Sequence, residues 1–183
     1  MDVTDSMTRH YTIRQAKPYD APRLSTIRPI IDGETEFMDR EEGEAIITPE
    51  GFRTIIQTDE ETPNHLFLVA ETDGEIVGFS RCEGSPLKRS AHRVEFGVCL
   101  LKAHWGNGIG RKLLEQSLQW ADAQQIRKVT LSVLADNHKA IKLYEQYGFI
   151  TEGILVDDKR LSDGTYHDTL IMGRVQTSRL PPG

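Results

Sequence analysis

The stretch RVEFGVCLLKAHWGNGIG, Arg93–Gly110, runs an apolar strand directly into a glycine-rich turn, and a helix of two distinct faces follows it. Gly110, Leu113, Leu114, Ser117, Leu118 and Ala121 recur at spacings of three and four. Arg111, Lys112, Glu115, Gln116 and Gln119 fill the other face, so the pattern predicts a helix over about 108–123 that packs its small and aliphatic stripe on a sheet. A strand that turns into a helix this tightly points several backbone N–H groups and the positive helix end at one spot, where an anion such as a phosphate fits. Glycine is needed there because a Cβ obstructs both the tight backbone and the approach of a pyrophosphate oxygen.

Spacing decides between the phosphate loops that such a turn can be. A Walker A loop needs GxxxxGK[ST], but Trp105 stands five residues before Gly110 and Arg111 follows it. A dinucleotide fingerprint needs GxGxxG, and Arg111 occupies the third glycine position after Gly106 and Gly108.

Outward from this turn the chain alternates between strand and helix patterns. Lys128–Leu134 is a buried strand, and Asn137–Tyr147 is a helix closed by Gly148 with Phe149 as its hydrophobic C-terminal contact. Strands Ile150–Val156 and Tyr166–Val175 follow, separated by a turn at Ser162-Asp163-Gly164. On the N-terminal side, Tyr11–Arg14 reads as a strand and a helix runs from Asp20 to about Ile31. A second helix begins at Thr48-Pro49-Glu50, with its N-cap and proline signature. His65–Glu71 and Glu75–Cys82 form a hairpin across Thr72-Asp73-Gly74. The order is strand, two helices, three strands, helix, strand, helix, two strands, which suits one α/β domain with helices on both faces of a sheet. The domain is expected over 8–175, with QTSRLPPG at 176–183 as a disordered tail.

The helix at 137–149, NHKAIKLYEQYGF, fits the pattern N-x-x-A-x-x-L-Y-x-x-x-G-F at every specified position. The glycine turn fits a second pattern, Gln or Arg, two residues, Gly, any residue, then Gly or Ala, through Gly108 and Gly110. With both motifs in this order and separation, roughly residues 10–175 resemble the GNAT superfamily of N-acetyltransferases. Trp105 replaces the Gln or Arg, a departure that looks like the WGxG variant of ribosomal-protein and amino-acid acetyltransferases. The resemblance implies the GNAT fold, a mixed and mostly antiparallel sheet of about seven strands. It also implies acetyl-coenzyme A as cofactor, held by the turn Trp105, Gly106, Asn107, Gly108, Ile109, Gly110 and Arg111. By the same resemblance, backbone groups at Val98, Cys99 and Leu100 pair with the pantetheine arm, and one N–H polarises the acetyl carbonyl.

Acetyl transfer needs a neutral amine, a polarised thioester and an acid for the departing thiolate. Tyr144 is the candidate acid, since a phenol of pKa about 10 is protonated at neutral pH and can donate to a thiolate whose conjugate acid lies near 8.5. Asn137 lies seven residues earlier, about 10.5 Å along the same helix face, where its amide can hold the cofactor arm or a water. The same two residues also suit a helix cap and a core aromatic. Glu95 is the candidate base, drawing a proton from the amine through a water. Cys99 has no His and carboxylate arrangement around it, so direct attack in a ternary complex is expected.

In this superfamily the segment joining the first two helices commonly covers the acceptor. Here that segment, Asp32–Glu44, carries seven acids against one arginine, so a cationic amine is expected near Glu34 and Glu36, with Phe37 as an apolar contact. A solvated charged loop is the structural alternative. Candidate acceptors are an amino acid, a polyamine or other small amine, or a peptide N-terminus. A non-catalytic acyl-coenzyme A sensor, which has no need of Tyr144, or a regulatory module is the competing class. The superfamily also suggests a homodimer through the C-terminal strands.

With 183 residues, 38% apolar and 27% charged, the chain has the composition of one soluble globular domain. A net charge of -6 argues against coating nucleic-acid phosphates. Cys82 and Cys99 lack CxxC or zinc-type spacing, so buried free thiols and no metal are expected. There is no apolar run near the ~20 residues that span a bilayer, and Met1–His10 has no signal-peptide core, so no membrane partner and a cytoplasmic location are expected.

Overall fold

A computed structural model describes residues 10–177; residues 178–183 of the expected tail lie outside the described residues. Strand β1 (Tyr11–Gln15) leads through a short 3-10 turn into α1 (Ala21–Glu34), and α2 (Pro49–Glu61) follows. The Thr48 hydroxyl accepts from the Gly51 amide at 3.1 Å and so caps α2 as its sequence foretells. Next come the hairpin β2 (His65–Thr72) and β3 (Glu75–Gly84), then β4 (Arg93–Leu100), α3 (Ile109–Ala123) and β5 (Lys128–Leu134). Helix α4 (His138–Gln146) and strands β6 (Ile150–Arg160) and β7 (Tyr166–Val175) complete the order.

Two boundaries differ from the sequence pattern by three residues or more. Helix α1 continues past Ile31 to Glu34, because Asp32 is buried and faces Arg28 one turn back, Nη2 to Oδ1 at 3.3 Å. Asp32 and Glu34 are therefore helical and not part of a loop. Strand β6 continues past Val156 to Arg160 beyond an irregularity where Asp157 has φ +50° and the register slips between Leu155 and Lys159. The polar run after Val156 gives no apolar period to signal this extension.

The seven strands form one sheet in the order β1-β2-β3-β4-β5-β7-β6, and only β4 and β5 pair in parallel. Helices α3 and α4 cover one face, burying Leu113, Leu114, Ala121 and Tyr144 against Val94, Phe96 and Met172. Helices α1 and α2 cover the other with Leu24, Ile27 and Ile56 over Phe67, Phe79 and Cys99. Side chains alternate along β4, so Val94, Phe96 and Val98 belong to the first face and Glu95, Gly97 and Cys99 to the second.

Candidate active site

The parallel pairing of β4 and β5 lasts for three residues. Arg93, Val94 and Glu95 stand opposite Lys128, Val129 and Thr130, and beyond them the strands part. Strand β4 stays paired with β3 as far as Leu100, and β5 with β7 as far as Leu134, so each strand keeps one open edge toward the other. The Leu101 amide donates to the Val77 carbonyl on β3 at 3.0 Å, whereas the Val94 carbonyl accepts from the Thr130 hydroxyl on β5. Backbone groups alternate sides along a strand. The N–H and C=O groups of Phe96, Val98 and Leu100 thus face the gap, while the Cys99 amide faces β3 and its side chain faces α1.

The glycine turn sits at the mouth of this gap. Gly106 and Gly108 have φ of +78° and +79°, left-handed values that glycine adopts at little cost, and Gly108 caps α3. The first intrahelical bond is from the Lys112 amide to the Gly108 carbonyl, which leaves the amides of Ile109, Gly110 and Arg111 at the positive helix end. A Cβ placed on Gly106 or Gly110 meets no atom within 4 Å, so the space over them is open. The Trp105 Nε1 donates to the Leu100 carbonyl at 3.0 Å, and the Lys102 ammonium lies 5.9 Å from the Trp105 ring centre. The Tyr11 hydroxyl donates to the Gly108 carbonyl at 3.3 Å.

Gap and turn open into one cleft of about 1360 Å³. Its walls include Glu95, Val98, Cys99, Leu100, Asn137 and Tyr144, together with the turn residues Trp105, Gly106, Gly108, Ile109, Gly110 and Arg111. Asn107 is outside the lining; its side-chain amide reaches the His104 carbonyl at 3.4 Å. Arg111 lines the cleft but donates to the Tyr147 hydroxyl and the Gln146 side chain, tying α3 to α4.

Tyr144 stands edge-on to Phe96, with ring centres 6.5 Å apart, and its hydroxyl makes no hydrogen bond among the described residues. Burial pushes its pKa up from 10 to about 12. Asn137 accepts from the Ala140 amide at 3.3 Å through Oδ1, which caps α4 and leaves its side-chain N–H groups for the cleft. The cap and the cleft-lining role coexist in one side chain.

On the α1–α2 face, Phe37 lines the cleft beside Met38, Ile47 and Ile55, but Glu34 and Glu36 do not. The Glu34 carboxylate accepts from the Lys102 amide at 2.7 Å, and Glu36 accepts from the Ser162 hydroxyl. Asp39 pairs with Lys159. The acidic segment thus fastens α1 to the end of β4 and to the β6–β7 hairpin. Buried Arg28 also reaches the cleft, donating to Cys99 Sγ. Arg28 escaped the sequence pattern because a charged residue on a helix reads as solvent-facing; Lys139 and Lys142 on α4 line the cleft too and were missed for the same reason.

Residues 31–149 match the Acetyltransferase (GNAT) family, and the chain belongs to that family. It is an acetyltransferase, and acetyl-coenzyme A is its cofactor. An L-amino acid N-acetyltransferase of Escherichia coli is 33% identical over 111 residues, which are 60% of this chain and 67% of the relative. A spermidine N(1)-acetyltransferase of Vibrio cholerae is 31% identical over 116 residues, 62% of this chain and 65% of the relative. The crystal structure of a GNAT acetyltransferase from Streptococcus pneumoniae superimposes with a TM-score of 0.88 at 28% identity, covering 91% of this chain and all of that one. No helix among the described residues is long and apolar enough to cross a membrane.

The cleft fits the cofactor on its own geometry. A long ligand meets open N–H groups at the helix end and, on the strand edge left open by β5, the backbone of Val98 and the Leu100 amide, and the two are joined by one continuous space.

Proposed function

We propose that this protein transfers the acetyl group of acetyl-coenzyme A to the primary amine of a small molecule or a peptide N-terminus, by direct attack in a ternary complex. The observation that carries this reading is the parting of β4 and β5 after Glu95, which opens one cleft between the glycine turn and Tyr144.

When bound, the thioester supplies an activated acetyl carbon with a thiolate leaving group. The Val98 and Leu100 amides face the gap and hold the pantetheine arm, and one of them polarises the acetyl oxygen. The amides of Ile109, Gly110 and Arg111 take the pyrophosphate. Glu95, on the opposite face of β4, lies exposed in the cleft, where it accepts the amine proton through a water. Tyr144 returns a proton to the departing sulfur. Burial that raises Tyr144 also raises a thiolate brought into the same apolar surroundings, so the match between donor and acceptor survives desolvation.

The proposal includes a homodimer through β6, an edge strand that exposes Ile150, Ile154 and Val156. A sedimentation or gel-filtration mass tests that part.

The reaction is tested by following free thiol with acetyl-coenzyme A and a panel of amino acids, polyamines and N-terminal peptides, and by repeating the assay with Glu95→Gln. Amine-dependent release that falls by about 100-fold in the variant at pH 7 and recovers as pH approaches the amine pKa supports the reaction and the base together. Failure to bind acetyl-coenzyme A overturns the assignment of the cleft.

A further inference from the structure

We propose that the acceptor bears a carboxylate beside its amine, as an α-amino acid does, and that Arg28 holds this carboxylate over Gly97 while the amine faces Glu95. The inference rests on the acetyl-transfer reading above and names the substrate class of the same site.

Three consecutive same-face positions on β4 define the place. Glu95 and Cys99 are separated by about 13 Å at the ordinary strand rise, with Gly97 midway between them. A Cβ at Gly97 meets nothing within 4 Å, so the middle of this face is open floor. Glu95 bounds the floor at one end and has no ion-pair partner among the described residues. Arg28 bounds it at the other, where its guanidinium contacts Cys99 Sγ.

Arg28 is poorly compensated for a cation only 8% exposed. Its Nη1 points at a sulfur, which is a weak acceptor, and its Nη2 stands 3.3 Å from a single Asp32 oxygen. Its Nε has no hydrogen-bond partner, and neither does that Asp32 oxygen by hydrogen-bond geometry. Burial raises the Asp32 carboxyl above its ordinary value, and the Arg28 charge opposes that shift. A planar guanidinium that lines a cleft with its N–H groups so weakly met is a fork for a second carboxylate.

Three other cations that line the cleft are already engaged. Arg81, opposite Gly97 on β3, is bidentate to Asp59 at 2.8 and 2.9 Å and also reaches Glu83. Lys159 is paired with Asp39, and the Arg40 guanidinium donates to the Ala45 carbonyl. A polyamine would bring a second cation against Arg28 without a carboxylate to meet it. An amino acid, with both charges borne on one carbon, instead sits over Gly97 with its carboxylate on the Arg28 side and its amine on the Glu95 side, and its side chain toward Met38, Ile47 and Ile55.

The test is calorimetric titration of the coenzyme A-loaded protein with L-methionine and L-phenylalanine, with their carboxylate-free counterparts 3-methylthiopropylamine and 2-phenylethylamine, and with spermidine. The amino acids are expected to bind at least ~10-fold more tightly, the lower range for a charge-assisted bidentate contact. Arg28→Gln is expected to erase that ratio and Arg28→Lys to restore part of it. Gly97→Ala, which meets no atom of the folded protein, is expected to weaken amino-acid binding with the melting temperature kept. Equal or tighter binding of the carboxylate-free amines overturns the proposal, as does a Gly97→Ala variant that binds every acceptor as the parent does. Thiol release measured on the same samples separates the two readings. Selective binding without transfer overturns the acetyl-transfer reading alone, whereas transfer to amines with and without a carboxylate at equal kcat/KM overturns this inference alone.

Discussion

The indole N–H of Trp105 donates to the carbonyl of Leu100 at 3.0 Å, and this bond fastens the start of the glycine turn to the last residue of β4. It explains how the turn tolerates tryptophan where the superfamily pattern has Gln or Arg. The ring works from outside the phosphate site by fixing the angle at which the chain leaves the strand. Trp105→Phe keeps the ring and removes the donor. It is expected to weaken acetyl-coenzyme A binding by about 3- to 10-fold, in line with one neutral hydrogen bond, as read by calorimetry.

Tyr144 has no hydrogen-bond partner among the described residues, so Tyr144→Phe removes nothing that holds the fold. The variant is expected to lower kcat by about 100-fold while its thermal stability stays within about 1 kcal/mol of the parent. With the phenol pushed up to about 12, no loss of its proton should shape the rate profile below pH 10. A descending limb that begins near pH 8 and disappears in Tyr144→Phe would contradict this.

Three buried acids set the alkaline stability. Burial raises Cys99 from 9 to about 11, and Cys82 from 9 and Tyr144 from 10 to about 12. Each is held protonated more tightly in the folded chain than in the unfolded one. Their contribution is therefore complete below pH 9 and declines as pH climbs through the folded values between 11 and 12. Denaturant midpoints are expected to fall steadily from pH 9 to 11. A Cys82→Ala, Cys99→Ala double variant should show a shallower decline, whatever its starting stability.

Asp59 on α2 is buried and accepts from Nε and Nη2 of Arg81 and meets the His65 ring, with the His65 Nδ1 at 2.9 Å. Asp59→Ala removes the acceptor that two side chains of β2 and β3 share, leaving Arg81 with Glu83 and His65 with the Gly84 carbonyl. Because Arg81 is partly solvated, the expected loss is about 2–3 kcal/mol by chemical denaturation, below the usual figure for a fully buried pair. The freed Arg81 lies opposite Gly97 and should also alter acceptor affinity.

Element order was legible because most elements carry a local period. The inner face of α3, the Asp-Gly hairpin turn and the Gly148 stop of α4 are all written within a few residues. The ends of α1 and β6 were not legible, since Asp32 is helical through a buried ion pair and Asp157–Arg160 remain in the strand through pairing with β7. In the site, motif spacing placed the glycine turn and Tyr144 on one cleft. Sequence alone did not give Arg28, and it assigned to Glu34 and Glu36 a place at the acceptor that their bonds to Lys102 and Ser162 do not support. Whether a charge meets a substrate or the chain's own backbone depends on tertiary neighbours that no local pattern encodes.

The three-residue seam between β4 and β5 has a mechanical consequence. The sheet consists of two panels, β1 to β4 and β5 with β7 and β6, each densely laddered within itself and stitched to the other at Arg93, Val94 and Glu95. A ligand laid against the open edges acts as a splint across that seam. The empty protein should fray as two cooperative units, and the loaded protein should melt as one.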